Sequence, residues 1–246
     1  IGRLCWPFKT NPPSVPTVMK AIVFDRYGDT NVLKYDYRRR LNPEPNEVQV
    51  KLQNAALNPV DIEQRQGRFR MVMLGKLPFA PGADFSGVIT RIGRRVQGFE
   101  VGQEVMGMAP LLQQQGSYAQ YMTVRAANLA QKPEGMTWAE AAGLPLAGLT
   151  ALQALRDLAH LKAGQRVFVN GGSGGVGHLA IQIAKAMGAV VHTSCSADAA
   201  EWLRELGADE VIDYHETDIT KGGQYFDVFF DVAGRLSYNK TKGILT

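Results

Sequence analysis

The stretch Val167-Phe168-Val169-Asn170-Gly171-Gly172-Ser173-Gly174-Gly175-Val176-Gly177 decides the fold. Its first four residues form a short apolar run of the kind found in buried strands. His178 to Met187 then carries Leu179, Ile181, Ile183 and Ala184 as the apolar positions of a helix. Between strand and helix, Gly172, Gly174 and Gly177 fall on G-x-G-x-x-G. In that setting glycines permit a tight turn, let the backbone approach a pyrophosphate and let helix and strand pack closely, while the helix start offers unpaired N–H groups to the anion. Gly172, Ser173, Gly174, Gly175, Val176 and Gly177 are therefore the candidate cradle for a dinucleotide. No Gly-Lys-Ser/Thr follows, which argues against a nucleoside-triphosphate loop.

Downstream, strand and helix alternate. Val190 to Thr193 reads as strand, Ala199 to Leu206 as helix, Glu210 to Ile212 and Asp227 to Val232 as strands, and Ser237 to Leu245 as a closing helix. Such alternation implies a parallel sheet wound by right-handed crossovers. A complete doubly wound dinucleotide domain has about six strands, in the order 3-2-1-4-5-6. Four are counted here, so the chain is read as part of a longer protein, truncated at its C-terminus, with Val228-Phe229-Phe230 left at a sheet edge.

About 20 residues past the motif, an Asp or Glu would bind the ribose 2′-hydroxyl of NAD. Ser194 and Ser196 stand there instead, small donors that leave room for a 2′-phosphate. The expected cofactor is NADPH, with NADH second. Asp198 is read as a helix-start residue and Arg204 as a distant basic candidate.

Upstream the grammar is different. Residues 1–18 hold Pro7, Pro12, Pro13 and Pro16 without hydrophobic periodicity and are read as a disordered tail. From Met19, strands are expected at Lys20 to Phe24, Glu47 to Ala55, Val88 to Ile92, Glu104 to Met108 and Tyr118 to Val124, separated by turn glycines such as Gly93, Gly98, Gly102 and Gly116. Val48, Val50 and Leu52 alternate with Gln49, Lys51 and Gln53, so one face of that strand is buried. Thr137-Trp138-Ala139-Glu140 has capping-box spacing and starts the helical part. The expected organisation is a β-rich, barrel-like domain over 19–143 and a dinucleotide domain over 144–246, an α/β fold with a β-rich N-terminal part.

Hydrophobic residues at 45% and charged residues at 20% exclude a disordered chain. The net charge of +4 is a weak pointer to nucleic acid, because residues 1–40 alone carry eight Lys or Arg against three Asp and the remainder is nearly neutral. The triplet Arg38-Arg39-Arg40 reads as a solvated strand edge or loop, and no nucleic-acid partner is expected. Cys5 and Cys195 form no disulfide framework, and the four histidines lack ligand spacing. With no membrane-length apolar run and no secretory signal, the expected location is cytoplasmic, or organellar. Tyr238 and Lys242 match the Tyr-x-x-x-Lys pair of short-chain dehydrogenases, but the pair lies too close behind the glycine turn for that chemistry.

From Met19 onward the chain resembles the medium-chain dehydrogenase/reductase superfamily, in its zinc-free quinone oxidoreductase branch. The resemblance rests on Asn58-Pro59-Val60-Asp61, on Leu77-Pro78-Phe79-Ala80-Pro81-Gly82 running into Asp84-Phe85-Ser86-Gly87-Val88, and on Val101-Gly102-Gln103-Glu104-Val105-Met106-Gly107. It continues with Leu144-Pro145-Leu146-Ala147-Gly148-Leu149-Thr150-Ala151, the glycine motif and Leu206-Gly207-Ala208-Asp209. The wording is most similar to chloroplast-envelope and mitochondrial quinone oxidoreductase homologues. The resemblance implies a GroES-like catalytic domain followed by a Rossmann domain, with the cofactor in the cleft between them and a homodimer when full length.

It also implies site residues. Zinc-dependent relatives place a Cys where Asn58 stands and a His-Glu pair where Ala83-Asp84 stands, so no zinc is expected. Without that Lewis acid a simple ketone is a poor acceptor. A quinone or an α,β-unsaturated carbonyl delocalises the charge left by hydride addition. Asn58 and Asp61 are the implied catalytic residues, the plainer alternative being that Asn58-Pro59 merely shapes a turn before a helix. Thr150 is the implied nicotinamide-side contact, and Tyr214 flanks a 2′-phosphate. The basic residue that often accompanies that tyrosine is replaced by Ala199, and Glu63 stands where some relatives carry a substrate-facing tyrosine. The expected function is an NADPH-dependent quinone or enone oxidoreductase; an enoyl-thioester reductase or a non-catalytic NADPH-binding protein are the rivals.

Overall fold

The computed structural model describes residues 17–71, 77–110, 115–221, 223 and 225–246. The segment read as a tail lies outside these residues up to 16, and its last residue, Val18, opens a strand. The chain divides into two compact units, one ending at Gly143 and one running from Leu144 to Thr246.

In the first unit, β1 (Val18–Val23) pairs antiparallel with β2 (Lys34–Arg39). Alternation explains β1: Met19, Ala21 and Val23 are buried, and Val18 and Ile22 are exposed. β3 (Glu47–Ala55) belongs to a five-stranded antiparallel sheet with β4 (Asp84–Ile92), β5 (Glu104–Met108), β6 (Tyr121–Arg125) and β7 (Leu129–Gln131), in the order β6-β3-β4-β5-β7. Val48 and Val50 of β3 join Phe85, Ile89, Val105, Met122 and Val124 in its core. Helix α1 (Pro59–Arg65) follows β3, and α2 (Trp138–Gly143) closes the unit. The capping box at α2 forms: the Thr137 N–H donates to Glu140 Oε2 at 2.8 Å and the Glu140 N–H to Thr137 Oγ1 at 3.2 Å.

Two expectations here need correction. Arg40 is half-buried and packed rather than freely solvated. Its guanidinium lies 3.6 Å from the centroid of the Tyr121 ring and donates from Nε to Gln49 Oε1 at 2.8 Å. Gln49, placed on the polar face of β3, is nevertheless buried. Its amide is satisfied, donating to the Leu41 carbonyl at 2.6 Å and accepting from Thr90 Oγ1 at 3.0 Å, so polarity did not force it outward.

The second unit starts with α3 (Pro145–Leu152), which runs on as one π-helical turn, Gln153–Leu158. Strands β8 (Arg166–Asn170), β9 (Val190–Cys195), β10 (Glu210–Asp213) and β11 (Val228–Asp231) form a parallel sheet in the order β10-β9-β8-β11. This is the 3-2-1-4 part of the Rossmann order. Helices α4 (Gly177–Ala186) and α5 (Ala200–Glu205) make the two crossovers from β8 to β9 and from β9 to β10. The central strand is apolar on both faces because both are covered. Val167 and Val169 pack with Ala180, Ile181, Ala184 and Leu203 on one side, and Phe168 with Ile219, Phe226 and Ile244 on the other.

The closing helix is shorter than expected. α6 spans Tyr238–Thr241 only and passes into a 3₁₀ turn, Lys242–Ile244. Gly243 weakens the helix there, and the Phe226 N–H takes the Ile244 carbonyl at 2.8 Å, bending the chain so that Ile244 reaches Phe168.

Candidate functional site

The glycine loop lies between β8 and α4, braced by the ends of the neighbouring strands. Asn170, the last residue of β8, donates its amide to Asp231 Oδ1 at 2.7 Å and accepts the Ser194 hydroxyl at 2.7 Å. The Gly171 N–H donates to Ser194 Oγ at 3.1 Å, and the Gly172 N–H to the Ser194 carbonyl at 2.9 Å. Asp231 also accepts the N–H groups of Gly234 and Leu236, at 3.1 and 2.7 Å. One hydrogen-bonded chain thus ties the ends of β9, β8 and β11 beneath the loop.

The glycines divide into two kinds. A Cβ on Gly172 would stand 2.1 Å from Thr193 Oγ1, a buried hydroxyl that donates to the Val169 carbonyl at 2.8 Å. A Cβ on Gly177 would stand 2.1 Å from the Gly171 carbonyl oxygen. The fold itself demands these two. Gly174 would meet only that same oxygen at 3.4 Å, an ordinary contact, and Gly175 would meet nothing within 4 Å. Neither has a positive φ. Two glycines that the fold does not need stand at the mouth of a ten-residue helix, whose N-terminus carries positive partial charge. A surface stripped of side chains at that end fits a pyrophosphate approaching the backbone.

The other residues assigned to the cofactor are placed as follows. Ser194 is buried, its hydroxyl committed to Asn170 and Gly171. Ser196 caps the short turn Ala197–Ala199 and points its hydroxyl at the Asp198 carboxylate. Tyr214 follows β10, is exposed, and lies with its ring centroid 4.3 Å from that of His215. Thr150 is exposed on α3 and donates to the Leu146 carbonyl one turn back, at 2.7 Å. Asn170 and Asp231 were not singled out in the sequence, and Thr193, one of the small polar residues about 20 positions past the motif, is buried with its hydroxyl on the Val169 carbonyl. The only signal for Asn170 was a polar residue ending an otherwise apolar strand beside a glycine turn.

In the first unit, Asn58 and Asp61 come together at the start of α1. Asn58 is the N-cap residue, and its N–H donates to Asp61 Oδ2 at 2.8 Å, the carboxylate half of a capping box. The Asn58 amide donates to Asp84 Oδ2 at 3.0 Å. Tyr118, which sequence reasoning missed, brings its hydroxyl to 3.3 Å from Asp61 Oδ2. All three polar residues Asn58, Asp61 and Asp84 are buried. Burial pushes the Asp61 carboxyl above its ordinary range, against the pull of its hydrogen bonds from Asn58 and Tyr118. Burial and the charges of Asp61 and Asp84 push the Tyr118 phenol up as well.

This architecture has known relatives. The alcohol dehydrogenase GroES-like domain family matches residues 44–134, and the zinc-binding dehydrogenase family matches residues 175–244. The structure of a quinone oxidoreductase from Coxiella burnetii superposes with a TM-score of 0.85 at 37% identity, covering 93% of this chain and 73% of that one. The chain belongs to the medium-chain dehydrogenase/reductase superfamily. Among curated members of that superfamily, the mitochondrial NAD(P)H oxidoreductase RTN4IP1 of Bos taurus is 36% identical over 92% of this chain, and the chloroplastic NADPH-dependent alkenal/one oxidoreductase of Arabidopsis thaliana is 39% identical over 92%. The chain spans 61% and 60% of their respective lengths. Among the described residues, no helix is long and apolar enough to cross a membrane.

Proposed function

We propose that this protein is an NAD(P)H-dependent reductase acting on quinones or α,β-unsaturated carbonyls. The observation that carries the reading is the contrast within the loop: Gly172 and Gly177 are glycines for packing, while Gly174 and Gly175 are glycines only for something that lies against them. A bound NAD(P)H supplies a hydride from its nicotinamide. The chain's own residues have three tasks. The Gly172–Gly177 loop and the start of α4 hold the pyrophosphate, Ser194 and Asn170 fix the loop, and Ser196 and Tyr214 present hydroxyls at the end of the sheet.

Asn58 and Asp61 serve as positioning residues in this reading. Their hydrogen bonds to one another and to Asp84 fix the start of α1, and the catalytic role expected of them narrows to that. Zinc does not fit the donor set. The resemblance puts Asn58 and Ala83 at two ligand positions, and the Asn58 amide is turned as a donor onto Asp84. The relatives named for NAD(P)H, NADPH and alkenal/one support both the cofactor class and the acceptor class. Their mitochondrial and chloroplastic names favour an organelle over the cytoplasm.

The test is NADPH and NADH oxidation by the chain against a panel of quinones, alkenals and enoyl thioesters. Turnover with quinones or alkenals supports the reading. Turnover with thioesters alone, or tight NADPH binding without turnover on any acceptor, replaces it.

A further inference from the structure

The ribbon of β1 and β2 turns one face inward and one outward. Met19, Ala21 and Val23 of β1 are buried, and the alternate positions carry exposed side chains in three cross-strand pairs: Val18 with Arg39, Lys20 with Tyr37 and Ile22 with Tyr35. Tyr35 and Tyr37 are 67% and 66% exposed, and Val18 54%. Scattered singly, such residues need no explanation; together on one ribbon face they form a patch. None of the six is acidic. Asp36 falls on the other face of β2, in register with buried Ala21. Lys20 holds the middle of the outer face, its ammonium 5.9 Å from the centroid of the Tyr35 ring. The free side of β1 is closed, because the Ile22 N–H donates to the Tyr118 carbonyl at 2.8 Å and the Gln120 N–H to the Lys20 carbonyl at 3.0 Å. A partner therefore meets this face through its side chains and not by adding a strand to β1.

The mixture of groups selects the partner. Two cations without an acid attract an anion. A protein partner would bury the Lys20 ammonium at the centre of its footprint, where interfaces are depleted of lysine. A single-stranded nucleic acid stacks on rings and pairs with cations, but gives Val18 and Ile22 no task. A bilayer surface uses all three kinds of group. Aliphatic side chains enter the acyl boundary, tyrosine rings settle at headgroup level, and Lys and Arg reach lipid phosphates while staying hydrated. Binding of this kind needs no membrane-spanning helix.

We propose that the outer face of β1 and β2 is a peripheral docking surface for a bilayer rich in anionic phospholipid. The attachment is weak and reversible, since two cations and a few apolar side chains fall short of a lipid anchor. The proposal goes beyond the reductase reading and does not depend on it, because binding to a bilayer needs no nucleotide.

Co-sedimentation of the chain with vesicles tests it, one set of phosphatidylcholine alone and one of phosphatidylcholine and phosphatidylglycerol in equal parts, at low and high salt and without nucleotide. The chain is expected to bind the anionic set, to ignore the neutral set and to be released at high salt. Lys20→Glu with Arg39→Glu should weaken binding by more than about twentyfold, since each lost cation counts for roughly fivefold and each new carboxylate repels. Tyr35→Ser with Tyr37→Ser should weaken it by roughly tenfold. Lys162→Glu with Lys240→Glu makes the same charge change on exposed lysines of the other unit and should stay within about threefold of the unaltered chain. Thermal melts identify a variant that fails to fold, and the Lys20 and Arg39 pair decides alone where the tyrosine pair does so. Binding that survives the Lys20 and Arg39 change overturns the proposal. So does a Lys162 and Lys240 pair that loses as much, because the attraction would then belong to net charge and not to this face. Absence of binding to anionic vesicles at low salt overturns it too, and sedimentation velocity of the chain alone and with single-stranded homopolymeric RNA then shows whether a second copy or a nucleic acid takes the face.

Discussion

The hydroxyl of Ser194 donates to the side-chain oxygen of Asn170 at 2.7 Å, and through that bond the end of β9 fixes the last residue of β8 before the glycine loop. Ser194 also accepts the Gly171 N–H, so it touches both the strand end and the loop it launches. A residue so committed acts on a nucleotide through the loop. Ser194→Ala should cost about 1 kcal/mol of stability, the scale of a lost buried hydrogen bond. It should weaken NADH and NADPH alike, by roughly three- to tenfold. Thermal unfolding and paired titrations check this. A selective loss of NADPH would instead make Ser194 a direct phosphate ligand.

The two kinds of glycine separate folding from binding. Gly172→Ala or Gly177→Ala drives a methyl group to about 2 Å from Thr193 Oγ1 or the Gly171 carbonyl, and should destabilise by about 1–3 kcal/mol or more. Gly174→Ala should leave the melting temperature within about 2 °C of the unaltered chain, because its Cβ meets only an ordinary contact. The larger Gly174→Val should fold as well and lose dinucleotide binding by about a hundredfold, since the branched side chain occupies the approach to the backbone. Circular-dichroism melts beside fluorescence titrations read both effects. A Gly174→Val chain that binds NADPH normally would remove the cradle from this loop.

How far the sequence could be read depended on whether a signal was local. The glycine motif is a local signal, since turn, helix start and strand are contiguous. The strand order follows from right-handed crossovers, which need no knowledge of side-chain contacts. The role of Ser194 was not legible in that way. Its hydroxyl faces inward because Asn170, 24 residues earlier, ends β8 beside it, a pairing that appears only when the register Asn170↔Ser194 is known. Gln49 and Arg40 fail for a related reason. Alternation assigns a polar side chain to the wet face, but tertiary partners on Leu41, Thr90 and Tyr121 override it. Tyr118 gave no signal at all, because it meets Asp61 only through the fold of β-rich segments 57 residues apart.

Asn58→Ala separates positioning from cofactor binding. The change removes the amide that donates to Asp84 and leaves a poor N-cap for α1. A loss of about 1–2 kcal/mol is expected from the cap and the buried hydrogen bond together. Turnover on a quinone should fall while nucleotide affinity, measured by titration, stays within about twofold, because the nucleotide is assigned to the other unit. Asn58→Asp, which keeps a capping oxygen but sets a second acid against Asp84, should be worse than Asn58→Ala in stability. Unchanged turnover in Asn58→Ala would confine the residue to folding.

The buried carboxyl of Asp61 gives the first unit a pH dependence with a definite sign. Burial raises its folded pKa above the unfolded value, which lies near 3.9. Between those two values the folded chain holds a proton that the unfolded chain has released. Stability from this group is complete below the unfolded pKa and is lost as pH rises through the folded one, with a slope of at most about 1.4 kcal/mol per pH unit. Asp61→Asn has no such titration, and its amide oxygen can still accept the Asn58 N–H. Urea unfolding of both chains from about pH 3 to about pH 8 should therefore show the variant gaining on the unaltered chain as pH rises through the window. Tyr118→Phe removes a donor that favours the carboxylate, so it should move the window upward. The opposite trend, the unaltered chain gaining on Asp61→Asn with rising pH, would mean that the donors around Asp61 outweigh its burial.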